Sequence, residues 1–171
     1  MFPSFLSVLL VLVTWKILTG GIHLDGLADC LDGLAGRDPA ERLAIMRDSR
    51  IGVFGAFGLV VVLLLSLDGL TEVDPAVRTR ALVLAPAVGR ATPLLLARVF
   101  TPATPREGSG AAFMGAVTRG ALGIGLGVVA LASAMIAGKW GLVVAVAGLA
   151  LAGAAARFLS RRLGGLTGCR R

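Results

Sequence analysis

Ile51-Gly52-Val53-Phe54-Gly55-Ala56-Phe57-Gly58-Leu59-Val60-Val61-Val62-Leu63-Leu64-Leu65-Ser66-Leu67 runs for seventeen residues without a charge. A block of that length approaches the roughly 20 residues that cross a bilayer as a helix. Its three glycines permit a close helix contact near its start. Four more apolar blocks flank it, at residues 2–18, 81–97, 120–138 and 140–156, and Gly123 and Gly127 in the block 120–138 suggest a packing face. The chain is 56% hydrophobic, 16% charged and has a mean hydropathy of +0.87, too apolar for a soluble domain. Together these features predict an all-α, polytopic membrane protein with about five transmembrane helices, folded as a single integral membrane domain over residues 1–171. Residues 68–80 and Thr101 to Arg119 read as loops, the second rich in Pro and Gly.

A net charge of +7 raises the question of nucleic acid, but no basic patch is interleaved with aromatics and no nucleic-acid motif is present. The charge reads better as topology. With the five spans in place, thirteen of the seventeen basic residues fall on one side, Arg78, Arg80 and Lys139 on the other, and Arg90 within a span. Lys and Arg collect on the cytoplasmic side of membrane proteins, which assigns the majority face. Five spans then put Met1 outside. The first apolar block reads as a span and not as a removable signal, having no basic region before it. Cys30 and Cys169 stand far apart with no metal-binding spacing, so neither a disulfide framework nor a zinc site is expected.

Between the first two spans, after the helix stop at Thr19-Gly20-Gly21, lies His23-Leu24-Asp25-Gly26-Leu27-Ala28-Asp29-Cys30-Leu31-Asp32-Gly33. Read as a helix, it brings Asp25, Asp29 and Asp32 within an arc of about 60° and turns Leu27, Leu31 and Leu34 the other way. Three like charges so close call for a cation, and an oxygen-only ligand set favours Mg²⁺, Mn²⁺ or Ca²⁺ over zinc. Gly26 and Gly33 flank the acidic face and leave room for a bulky ligand. The bland alternative is a solvated acidic face on an interfacial helix. Asp38, with Pro39 and Glu41 after it, caps a further short helix reaching about Arg47.

Arg47-Asp48-Ser49-Arg50 follows, and Arg106 comes from a loop on the same side. Carboxylates with arginines on one membrane face suit a diphosphate, because phosphoryl transfer needs metal on the phosphate oxygens and fixed positive charge where negative charge accumulates. Juxtamembrane charge that sets orientation explains Arg47 and Arg50 equally well. Asp48 fits a further metal ligand or a base, and His23, the single histidine, a base or a structural residue. Arg90 inside a span needs a partner or a wet cavity and serves either structural pairing or substrate contact.

The run from Thr19 to Asp29, continued by Asp32-Gly33 and by Ile45-Met46-Arg47-Asp48-Ser49-Arg50-Ile51-Gly52, resembles the signature of the cobalamin synthase family, the adenosylcobinamide-GDP ribazoletransferases. Gly89-Arg90, Arg106-Glu107-Gly108 and Gly164-Gly165-Leu166-Thr167-Gly168 are weaker echoes in the family's order. The resemblance implies an Mg²⁺-dependent enzyme of the bacterial or archaeal cytoplasmic (inner) membrane that joins α-ribazole, or its 5′-phosphate, to adenosylcobinamide-GDP and releases GMP. It places Mg²⁺ on Asp25, Asp29 and Asp32, the diphosphate on Arg47, Arg50 and Arg106, with Arg90 a further substrate contact, and the active site on the cytoplasmic face. The lipid bilayer is a partner, nucleic acid is not, and a homo-oligomer is compatible. The family usually has another membrane segment before the position of Phe2 and an aspartate where Cys169 stands, followed by a final span, so the chain is expected to be shortened at both ends. Rival readings are a small cation carrier or channel that uses the aspartates, and an inactive truncated paralogue.

Overall fold

The structure is a computed structural model that describes residues 4–103 and 109–166, and among these there are seven helices and no strand longer than an isolated bridge. They are α1 (Ser4–Leu18), α2 (Ile22–Gly33), α3 (Pro39–Ile45), α4 (Val53–Glu72), α5 (Pro75–Val99), α6 (Ser109–Ala116) and α7 (Arg119–Leu163). The chain divides into two compact units, one up to Asp74 and one from Pro75 onward. Arg106, Thr167, Gly168 and Cys169 lie outside the described residues.

In the first unit, α1 stops at Thr19, whose hydroxyl donates to the Trp15 carbonyl at 2.8 Å. Gly20 and Gly21 follow at φ 61° and 68°, a left-handed conformation that glycine adopts without strain, and the axis turns by 85° into α2. Asp38 caps α3 as its sequence predicts, accepting from the Glu41 N–H at 2.9 Å, while the Glu41 carboxylate accepts from the Arg37 N–H at 2.7 Å. α2 and α1 both pack on α4, and α3 packs on α2.

The linker expected over residues 68–80 is almost entirely helical: α4 continues to Glu72 and α5 begins at Pro75. No breaker interrupts Leu67 to Glu72 except one tolerated glycine, and a proline at the first helical position loses no hydrogen bond. The loop expected from Thr101 to Arg119 likewise contains a two-turn helix, α6, because Ser109 to Ala116 is rich in alanine.

In the second unit, the long α7 is broken at Gly138, where φ 59° and ψ −146° leave the helical region. A straight helix would hold Val129 and Ala145 about 24 Å apart at 1.5 Å per residue, yet both belong to one buried cluster with Ala91. A side chain at Gly141 would also strike the Ser133 carbonyl. The chain therefore doubles back at Gly138, and the two arms, residues 119–137 and 139–163, pair through small residues and seat against α5. Gly123 and Gly127, the expected packing face, meet nothing within 4 Å; the packed glycines are Gly125, against Leu94, and Gly141. Two residues advance a helix by about 200°, so Gly125 faces away from both.

α4, α5 and α7 are each long and apolar enough to cross a membrane, and the bent pair α1 and α2 adds a fourth candidate if it forms one span. Their outer surfaces are apolar as well: Leu65 is 66% exposed, Val144 69% and Leu151 73%. Such a surface needs lipid against it. Within the spans, Ser66 bonds to the Val62 carbonyl of its own helix at 2.6 Å and Thr92 to that of Val88 at 3.0 Å, whereas the buried Ser133 hydroxyl of α7 has no partner among the described residues.

Candidate functional site

The first unit gathers the charged motif. α2 is too short to span a membrane at twelve residues, and it carries Asp25 in its first turn with Asp29 and Asp32 following at helical spacing. Asp25 and Asp29 are half-buried, and His23 is exposed at the second position of α2.

Asp32 points its carboxylate at the start of α4, where Oδ2 accepts from the Gly52 N–H at 2.7 Å and Oδ1 from the Gly55 N–H at 2.8 Å. The first amides of a helix have no partner within it, and a carboxylate there satisfies them and meets the positive end of the helix dipole, worth about 1–2 kcal/mol. The approach is possible only because three positions lack side chains. A Cβ at Gly52 or Gly55 would run into the Asp32 carboxylate, and one at Gly58 into Leu31. The spacing of these glycines announces a close contact in the sequence, but not that its partner is an aspartate.

Gly33, expected to leave room for a ligand, is instead filled: a Cβ there would lie 2.6 Å from the Met46 Cγ. Gly26 does face open space. Next along α2's exit, Gly36 receives Arg42, whose Nε–H donates to the Gly36 carbonyl at 2.9 Å. Packing of α3 and α4 on α2 thus fixes where the connecting loop of residues 46–52 runs.

Within that loop Asp48 and Arg50 form a close pair. The Arg50 Nη2 donates to Asp48 Oδ2 at 2.7 Å, its Nε lies 3.1 Å from Oδ1, and its backbone N–H donates to Oδ1 at 3.0 Å. The Arg50 side chain is 87% exposed. The side-chain and backbone hydrogen bonds from Arg50 hold the Asp48 carboxyl at about 2, below its ordinary 3.8, and the pairing raises the Arg50 guanidinium in turn. Arg47 is exposed beside them. Arg90 belongs to the second unit, exposed on α5, with Nη1 3.4 Å from the Pro86 carbonyl.

Among the described residues no three His, Cys, Asp or Glu side chains are grouped so as to hold a metal ion by themselves. Magnesium does not ask for such a cage: it is commonly bound by one or two carboxylates, with substrate phosphates and water supplying the remaining oxygens. Asp25 and Asp29, one turn apart on α2, fit that donor set.

The fold and this motif define a class: a helical membrane protein whose acidic short helix and arginine-bearing loop share one compact unit. The chain matches the family described as cobalamin-5-phosphate synthase (CobS) over residues 1–168, and it belongs to that family. It is 36% identical over 164 residues to the adenosylcobinamide-GDP ribazoletransferase of Clostridium acetobutylicum, an alignment covering 95% of this chain and 65% of the relative. It is 44% identical to the protein of the same name from Leptothrix cholodnii, over 88% of this chain and 61% of the relative. With the Ectopseudomonas mendocina protein of that name it shares 41%, over 97% of this chain and 68% of the relative. The chain thus spans about two thirds of the length of such relatives. No solved structure matches it.

Proposed function

We propose that the chain carries out the reaction its relatives are named for, transferring the adenosylcobinamide phosphate of adenosylcobinamide-GDP to α-ribazole or α-ribazole 5′-phosphate. A ribose hydroxyl of the acceptor attacks the cobinamide-side phosphorus, the P–O bond to the bridging oxygen breaks, and GMP leaves with that oxygen. The observation that supports this most is the packing of α2 on α4, which sets the carboxylates of α2 and the arginines of residues 47–50 on adjoining elements of one unit.

In this reading Asp25 and Asp29 hold Mg²⁺, which when bound polarises the phosphoryl oxygens. Arg47 and Arg50 neutralise the diphosphate, and Arg106 is assigned the same work by the family motif. A carboxyl at about 2 is a weak proton acceptor near neutrality, so the pair with Arg50 suits Asp48 to orienting that guanidinium. His23, the single histidine, at the start of α2, is then the candidate to take the proton of the attacking hydroxyl. Arg90 is a candidate contact for the corrinoid or acceptor.

The positive-inside count supports a site that faces the cytoplasm from a bacterial or archaeal inner membrane, where Mg²⁺ and nucleotides are supplied. A cation carrier would place its carboxylates near the bilayer midplane; here they lie on a short helix bent 85° from α1. The reading is tested by incubating the lipid-embedded chain with adenosylcobinamide-GDP, α-ribazole and Mg²⁺. GMP and cobalamin should appear together in equal amounts, and GMP without cobalamin would mean hydrolysis in place of transfer.

A further inference from the structure

We infer that Asp32 is a positioning residue, which pins the arginine loop to α2 through the first amides of α4 and does not act as a ligand of the metal. The inference rests on the proposed site and concerns the member of the acidic triad that bonds to the start of α4.

Successive residues of α2 hold both ends of the loop. At the exit, Asp32 binds the Gly52 and Gly55 amides at 2.7 and 2.8 Å. At the entry, Met46 lies over Gly33. The residues between these two anchors are those that carry Arg47, Asp48 and Arg50. Each oxygen of Asp32 therefore accepts one N–H from the start of α4, and the carboxylate is held between Gly52 and Gly55, where no side chain competes for the space. These two bonds orient the carboxylate toward the amides of α4, which is the placement an anchor needs. The negative charge still matters, because a carboxylate accepts more strongly than an amide at the positive end of a helix.

The two roles separate under substitution. Asp32→Asn keeps the shape but sets an amide N–H₂ against one of two N–H donors. Gly55→Ala keeps every carboxylate but fills the space Asp32 occupies. For an anchor, both should speed amide exchange at residues 52 and 55 by about tenfold or more. Both should leave the uptake of Mn²⁺ alone, without nucleotide, read by electron paramagnetic resonance on the chain in lipid nanodiscs, within about twofold of wild type. Asp29→Asn should do the reverse, weakening Mn²⁺ uptake with the exchange unchanged.

Loss of Mn²⁺ uptake in Asp32→Asn comparable with that in Asp29→Asn would overturn the inference, as would wild-type exchange at residues 52 and 55 in either Asp32→Asn or Gly55→Ala. If Asp29→Asn leaves Mn²⁺ uptake intact, the metal reading of the site fails by itself, and the exchange rates still decide whether Asp32 anchors α4.

Discussion

Asp48 and Arg50 show how a surface pair two residues apart becomes a defined group. The Asp48 carboxylate takes the Arg50 backbone N–H, which closes a local turn, and the guanidinium then folds back on the same carboxylate. Its depressed pKa means that the pairing is present above the ordinary 3.8 and is lost as pH falls through about 2. An NMR titration of the Asp48 carboxyl should therefore give a midpoint near 2, and Arg50→Gln should return it toward 3.8. An unchanged midpoint in Arg50→Gln would assign the depression to other groups. Because the pair is exposed, the wild-type midpoint should also climb with added salt.

At the scale of elements, glycine geometry shapes both units. Gly138 sits at φ 59°, ψ −146°, a region closed to residues with a side chain, so Gly138→Ala should destabilise the reversal of α7 by about 1–3 kcal/mol. Gly127→Ala, in regular helix with open space around it, should be neutral or stabilise by up to about 1 kcal/mol. Thermal unfolding in detergent measures both, and equal effects would deny the special role of Gly138. The helices themselves were legible from composition: among the described residues each apolar block is built mainly of helix, Gly20 and Gly21 end α1, and Asp38 with Pro39 starts α3. What pattern reading lacks is the identity of tertiary partners. Gly123 and Gly127 satisfy a packing motif yet face outward, whereas Gly52, Gly55 and Gly58 satisfy a similar one and are packed. The charges in residues 68–80 read as a loop because polar residues signal exposure, and an exposed helical turn carries the same composition. Of the candidate site, the acidic face and the arginine loop were visible as residue types at fixed spacing. The engagement of Asp32 with α4 was not, since it depends on a contact twenty residues away.

For the whole molecule, sidedness joins the fold to the proposed chemistry. Cys30 neighbours Asp29 on α2 and is half-buried. An impermeant thiol reagent should label it in inverted vesicles and spare it in right-side-out ones, following the distribution of Lys and Arg. Labelling from outside would separate the carboxylates from cytoplasmic nucleotide. The proposed function itself is reached most directly through Asp29, whose conversion to asparagine removes one charge from the acidic face with little change of shape. The decisive measurement is the Mg²⁺ dependence of GMP release and cobalamin formation from adenosylcobinamide-GDP and α-ribazole, in lipid, for wild type and Asp29→Asn. Transfer should require Mg²⁺ in the wild type and fall by about a hundredfold or more in the variant, with both proteins inserted equally. Turnover that proceeds without Mg²⁺, or that survives in Asp29→Asn, would contradict the account.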